Sequence, residues 1–129
     1  MEDDIIKIYK DNNKWAVIGV TDDKDKYGYK IYHKLKENNI VYGINPKYNN
    51  IDGNIIYPDI ESINDNIDIV VFVVNPGIGI KYLDSIINKK IKYIWLQPGT
   101  ESDELIKKAQ YNNIIVIKAC VLVVSKLYK

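Results

Sequence analysis

Four short stretches of this chain carry groups suited to holding a ligand, and all four have the same character. Gly19-Val20-Thr21, continuing through Lys24 to Tyr27-Gly28, offers backbone N–H groups, a hydroxyl and a lysine. Asn45-Pro46-Lys47 offers an amide and a second lysine. Val74-Asn75-Pro76 sets an apolar wall beside an amide, and Gln97-Pro98-Gly99 places another amide at a turn. Such groups bind phosphate and polar ligand edges through hydrogen bonds and charge. Bond-making chemistry has little to work with. There is no Ser-His-Asp or Cys-His arrangement, no Walker lysine loop and no metal-ligand spacing. The carboxylates of Asp22, Asp23 and Asp25 crowd one polar loop, where nothing fixes a substrate beside them. His33 stands alone between Tyr32 and Lys34 on a lysine-rich stretch and reads as a surface residue. The residues favour a binding module over an enzyme, with no catalytic and no metal-binding group assigned.

The elements that must position these stretches follow from hydrophobic spacing. Trp15 to Thr21 is an apolar run without polar alternation that meets a glycine, as expected of a strand buried on both faces of a parallel sheet. From Lys26 the spacing becomes helical, with Tyr27, Ile31 and Leu35 four apart, to an end at Asn38-Asn39 where asparagine takes a left-handed cap. Ahead of this unit, Met1 to Asp11 reads as a short helix, with Ile5, Ile6 and Tyr9 at helical spacing behind an acidic start. Ile40 to Ile44 is the second strand, stopped by Pro46. Asp52-Gly53 is a turn, Ile55 to Tyr57 a short strand, and Pro58-Asp59 the start of one or two helical turns through Ile60 and Ile63.

Asp68 to Val74 is again a buried strand, and Asn75-Pro76 caps a helix running to Asn88 with Ile80, Leu83 and Ile87 inward. Lys92 to Leu96 is the next strand. Thr100-Glu101-Ser102-Asp103 has the form of a capping box, opening a helix that buries Leu105, Ile106 and Ala109 and ends at Asn112-Asn113. Ile114 to Ile117 is the last strand, and Cys120 to Val124 an apolar tail that packs as an edge strand or an irregular cover. Strands alternating with helices imply an α/β fold, a doubly wound, mostly parallel, Rossmann-like sheet in a single domain over residues 1–129. In such sheets ligands sit outside the carboxyl ends of the strands at the switch point, where all four stretches fall.

A dinucleotide fingerprint needs a second glycine close to the first, whereas Gly19 is followed by no glycine until Gly28. The second strand should then end in an acid for the ribose hydroxyl, and Asn45-Pro46-Lys47 suits an extra phosphate there instead. Gly19-Val20-Thr21, Tyr27-Gly28, Asn45-Pro46, Gly53 with Tyr57-Pro58, Asp68 before a strand ending at Asn75-Pro76, Trp95-Leu96-Gln97 with Gly99, and Cys120 occur in that order across nearly the whole chain. This ordered set resembles the small single-domain CoA-binding proteins of bacteria, which are similar to the CoA-binding domain of the succinyl-CoA synthetase alpha subunit. The resemblance implies a Rossmann-like sheet holding coenzyme A. Thr21 and the loop to Tyr27-Gly28, with Lys24, would meet phosphate and pantetheine, and Lys47 the nucleotide phosphates. Val74-Asn75-Pro76 would wall the adenine, and Gln97-Pro98-Gly99 would face the pantetheine arm. Where many members carry a Glu-His pair after the cysteine, this chain has Val124-Ser125.

Cys120 is then either a buried, inert thiol or one that forms a mixed disulfide with CoA. The alternatives from other classes are an NAD(P)-binding redox protein, with the nicotinamide near Gln97, and a degenerate Rossmann domain serving as a protein-interaction module. Each stretch also has a plain structural use as a turn, a cap or a solvated lysine. With 129 residues, 47% of them hydrophobic, the chain can fill one core. A net charge of +1 gives no broad field for nucleic acid or an anionic membrane, so the expected partner is a small-molecule nucleotide. Nothing in the sequence sets an oligomeric state. All the basic residues are lysines, which rules out the bidentate arginine fork for phosphate. One cysteine, no apolar span of membrane length and no charged-then-apolar leader point to the cytoplasm.

Overall fold

The structure, a computed structural model, describes residues 2–127. Its strands are β1 (Lys14–Ile18), β2 (Ile40–Ile44), β3 (Asn50–Ile51), β4 (Asn54–Tyr57), β5 (Ile69–Phe72), β6 (Tyr93–Leu96) and β7 (Ile115–Lys118). They form one sheet in the order β3-β4-β2-β1-β5-β6-β7, parallel throughout except for the β3–β4 pair. Because β1 lies between β2 and β5, the winding reverses beside β1. The crevice at the switch point therefore opens between the carboxyl ends of β1 and β5.

Alternation along the central strands divides the core in two. Ala16, Ile18, Val70, Phe72, Ile94 and Leu96 face one layer, built by α4 (Leu83–Asn88), α5 (Asp103–Tyr111) and the segment carrying Ile60, Ile63 and Ile67. Trp15, Val17, Ile69, Val71 and Trp95 face the other, built by α1 (Glu2–Asp11), α2 (Tyr27–Lys36) and α6 (Val121–Leu127). Tyr9, Trp15 and Trp95 meet there as one aromatic cluster, the tyrosine ring edge-on to both indoles and the Trp15 and Trp95 ring centroids 5.6 Å apart. The Trp15 indole donates to the Asn12 carbonyl and the Trp95 indole to the Ala119 carbonyl, both at 2.9 Å, which fixes where α1 ends and α6 begins.

Several expectations need correction. The apolar tail after Cys120 is the helix α6. Its valines have poor helix propensity, but Val121 and Val124 bury one face against the sheet and tertiary packing decides the outcome. The helix expected over 76–88 is divided into α3 (Pro76–Gly79), a 3₁₀ turn at Ile80–Tyr82 and α4, because Pro76-Gly77-Ile78-Gly79 propagates a helix poorly. Its inward residues include Ile86, while Ile80 and Ile87 are only partly buried. No helix follows Pro58; Asp59 accepts from the backbone N–H and hydroxyl of Ser62 and holds a turn instead. The short strand at Ile55 pairs antiparallel with an additional strand, β3, joined to it through the Asp52-Gly53 turn. Asn38 and Asn39 do not take left-handed backbone; the Asn39 amide donates to the Leu35 carbonyl at the end of α2. At α5 the cap is Ser102, which accepts from Leu105 N–H, and the Thr100 hydroxyl turns back to the Gln97 carbonyl. Of the expected helix from Met1, that residue lies outside those described.

The passage from β1 to α2 depends on two glycines. Gly19 has φ +103°, and a Cβ there would lie 2.5 Å from the Val73 carbonyl oxygen. A Cβ on Gly28 would lie 2.1 Å from the Gly19 carbonyl oxygen. Backbone meets backbone at both points, so no rotamer change relieves the overlap. Gly28→Ala is expected to cost at least ~2 kcal/mol in urea unfolding. Gly77→Ala, whose added carbon meets only Asn75 Oδ1 at 3.4 Å, should lie within ~0.5 kcal/mol of the parent.

At the opposite end of the sheet, Asp65 accepts from the Lys14 ammonium at 2.8 Å and from the Tyr42 hydroxyl. The Lys14 bond, then the Tyr42 bond, hold the Asp65 carboxyl down at about 2, and the bond to Asp65 raises the Tyr42 hydroxyl to about 12. A carboxyl depressed by folding stabilises the native state above its ordinary pKa of 3.8 and ceases to do so as pH falls through the folded value. The stability difference between the parent and Asp65→Asn should therefore be constant above that range and close as pH drops from about 4 towards 2. Denaturant titrations at stepped pH measure it.

Candidate functional site

Two adjoining clefts lie at the carboxyl ends of the strands. The larger, of about 600 Å³, is lined by Gly19, Thr21, Asp25, Lys26, Tyr27, Gly28, Asn45, Lys47, Tyr48, Val73 and Val74. The smaller, of about 360 Å³, is lined by Tyr27, Val73, Val74, Asn75, Gln97, Pro98, Gly99, Thr100 and Cys120. Tyr27, Val73 and Val74 border both, so together they form one elongated groove across the β1–β5 switch point. Tyr27 begins the helical stripe that continues in Ile31 and Leu35. Those two are buried, while Tyr27 is 59% exposed and turns over the groove.

The larger cleft is polar by construction. Gly19 N–H donates to the Ile44 carbonyl at 3.0 Å, joining the end of β1 to the end of β2. The Asn45 amide donates to the Val20 carbonyl at 2.8 Å and its oxygen accepts from Lys47 N–H at 2.9 Å, so one side chain sets the positions of both loops. Helix α2 starts at this cleft with no side-chain cap on Lys26 and no acid in its first turn, which directs its partial positive charge at the opening. Lys26 and Lys47 add two formal charges, with Asp25 opposing. The other two aspartates of the loop are engaged within it. Asp22 accepts from the Tyr48 hydroxyl and Asp23 accepts from Asp25 N–H. The loop's acidity is thus partly spent on its own shape. The Thr21 hydroxyl lies 3.2 Å from the Tyr48 hydroxyl and accepts from Asp23 N–H, which anchors it at the cleft floor.

In the smaller cleft the amides are structural as well as lining. Asn75 caps α3 by accepting from Ile78 N–H at 3.0 Å. Gln97 is 4% exposed, and its side-chain oxygen accepts from Val121 N–H at 2.7 Å, the first N–H of α6. The backbone N–H groups of Glu101 and Gly99 hold the Glu101 carboxyl below the usual carboxylate range. Cys120 is half-buried at the margin.

Ten of the expected residues therefore gather here with Cys120: Gly19, Thr21, Tyr27, Gly28, Asn45 and Lys47 at the larger cleft, and Val74, Asn75, Gln97 and Gly99 at the smaller. Four line neither. Val20 is buried in the core, Lys24 stands exposed on the loop, Pro46 turns the chain outward after β2, and Pro76 serves as the first residue of α3. Asp25 and Lys26 line the groove from the expected loop, and Tyr48, Val73 and Thr100 line it from positions given no ligand role by the sequence. Tyr48 is one of eleven tyrosines and carries no distinguishing spacing. His33 is tied to the β3–β4 turn, with Nε2 3.3 Å from Asp52, and is remote from both clefts. Among the described residues no group of His, Cys, Asp and Glu is placed to hold a metal ion, and no helix is long and apolar enough to cross a membrane.

Residues 13–126 match the model of the CoA binding domain family. This chain belongs to that family. It is 37% identical over 78 residues to the ADP-forming acetate–CoA ligase of Methanocaldococcus jannaschii, a match covering 60% of this chain and 11% of that enzyme. The chain thus corresponds to a small part of that relative's length. A hypothetical protein from Pyrococcus horikoshii OT3 superposes with a TM-score of 0.93 at 27% identity, covering 98% of this chain and 91% of that one. The dinucleotide-forming acetyl-coenzyme A synthetase 1 of Ca. Korarchaeum cryptofilum shares the fold, with a TM-score of 0.69 at 22% identity over 81% of this chain and 26% of its own.

Because Gln97 holds the start of α6 from a buried position, Gln97→Leu should strand the Val121 N–H without an acceptor. The expected cost is ~1–3 kcal/mol, with faster amide exchange localised to the first turn of α6.

Proposed function

We propose that this chain forms one domain that binds coenzyme A or an acyl-CoA in the groove at the strand ends, holding the ligand without transforming it. The observation that carries this reading is the groove's division. A charged, hydroxyl-lined compartment sits on the uncapped start of α2, and a narrower one beyond it leads to Cys120. CoA has the matching distribution, a phosphate-rich nucleotide at one end and a long neutral pantetheine arm ending in a thiol. The larger cleft takes the nucleotide and its phosphates, with Thr21, Lys26, Lys47 and the α2 N-terminus as their partners. Val74 walls the adenine, and Asn75, Gln97 and Gly99 border the pantetheine arm. Family membership supports the choice of ligand, and the lysine at the end of β2 supports CoA over a dinucleotide. With no acid–imidazole pair after Cys120, the domain supplies a site and not a reaction. A cytoplasmic location fits its single thiol.

Thermal unfolding with CoA, NAD and NADP in separate samples tests this. A ligand that binds only the native state contributes ~2.7 kcal/mol at a hundred times its dissociation constant, which raises Tm by roughly 5–15 °C. The expected result is a rise with CoA that Lys47→Glu reduces by about tenfold in affinity, reversing one charge beside phosphate. A rise with a nicotinamide dinucleotide alone would assign the groove to a redox cofactor. No rise with any of the three would favour a protein-interaction role.

A further inference from the structure

Beyond Cys120 the surface changes character. A groove of about 400 Å³ runs between α1 and α6, lined by Ile5 and Ile6 on one side and Val123, Val124 and Leu127 on the other, with no charged side chain among the described residues along it. Val123 is 57% and Leu127 52% exposed, although both are aliphatic. Spaced four apart, and with Cys120 three before Val123, they form one continuous stripe along α6. Cys120 borders both this groove and the smaller cleft. The apolar stripe therefore starts where the ligand groove ends. Helix α6 has seven residues and advances about 10 Å, close to the length of an extended eight-carbon chain.

We propose that this groove is the subsite for the acyl chain of a CoA thioester, and that the domain prefers medium-chain acyl-CoA to free CoA. The proposal rests on the CoA reading above. The pantetheine arm brings its sulfur to Cys120, and the chain attached to that sulfur continues onto the adjoining apolar groove, whose two walls are aliphatic. Free CoA leaves the groove unfilled. An acyl group ending in a carboxylate is disfavoured, because among the described residues the lining offers it no cationic side chain.

Calorimetric titration of the whole chain with CoA, acetyl-CoA, succinyl-CoA and octanoyl-CoA tests it. Complete burial of one methylene strengthens binding about fourfold, and a groove open along one side captures about half of that free energy, or twofold per methylene. Octanoyl-CoA should then bind at least about tenfold more tightly than acetyl-CoA, with a more negative heat-capacity change, and succinyl-CoA no more tightly than CoA. Val123→Glu alters an exposed position, so the fold tolerates it. It should remove the octanoyl advantage while leaving the affinity for CoA unchanged. Equal binding of CoA and octanoyl-CoA would overturn the acyl subsite and leave the CoA reading standing. No binding of any of the four would overturn both. A chain that sediments as a dimer, is made monomeric by Val123→Glu and shows no octanoyl advantage would assign the face to a second copy and overturn the proposal.

Discussion

The carbonyl of Gly19 lies so close to the first turn of α2 that Gly28 has no room for a side chain. Much of the functional end of the molecule depends on this one backbone contact. It brings the start of α2 down onto the end of β1, where the helix's unpaired N–H groups face the crevice between β1 and β5. It sets the loop of residues 20–26 as a short lip instead of an open arc, which lets Asp22, Thr21 and Tyr48 close on one another. It also leaves Tyr27 standing over the groove, at the junction of the two clefts. A wider β1–α2 passage would lose the anion-facing helix end and the shared wall together.

Particular residues made much of this arrangement legible in the sequence. The central strands were legible because burial on both faces leaves an unbroken apolar run, and β2 was bounded as expected from Ile40 to Ile44. Gly19 and Gly28 were legible as a strand-to-helix passage, and the loops that follow β1, β2, β5 and β6 were placed correctly around one crevice. The misreadings share a cause. At α6, at the 58–65 segment and in the broken helix after β5, local preference was weak, and contacts distant in sequence decided the conformation. The Gln97 side chain starting α6 from 24 residues away is one such contact. Tyr48 and Val73 escaped notice for a related reason: they owe their place in the groove to the folding of neighbouring loops, and no local pattern encodes that.

The amides of the site show how economically its shape is held. Asn45 joins two loops, Asn75 starts a helix and Gln97 starts another, and each of the three also lines the groove. A substitution at any of them acts on architecture and on the ligand surface together. The lysines at positions 26 and 47 are different. Neither makes an ion pair among those formed by the described residues, so their charge is directed at the cleft without a structural task.

The two tryptophans of the chain lie against each other in the layer formed by α1, α2 and α6, their rings edge-on to Tyr9. Both are shielded from solvent, and both indole N–H groups are bonded to carbonyls that fix the neighbouring helices. The chain thus has a built-in optical reporter. Its intrinsic emission follows the seating of α1 and α6 on the sheet. Displacement of either helix from the sheet can be followed without a dye.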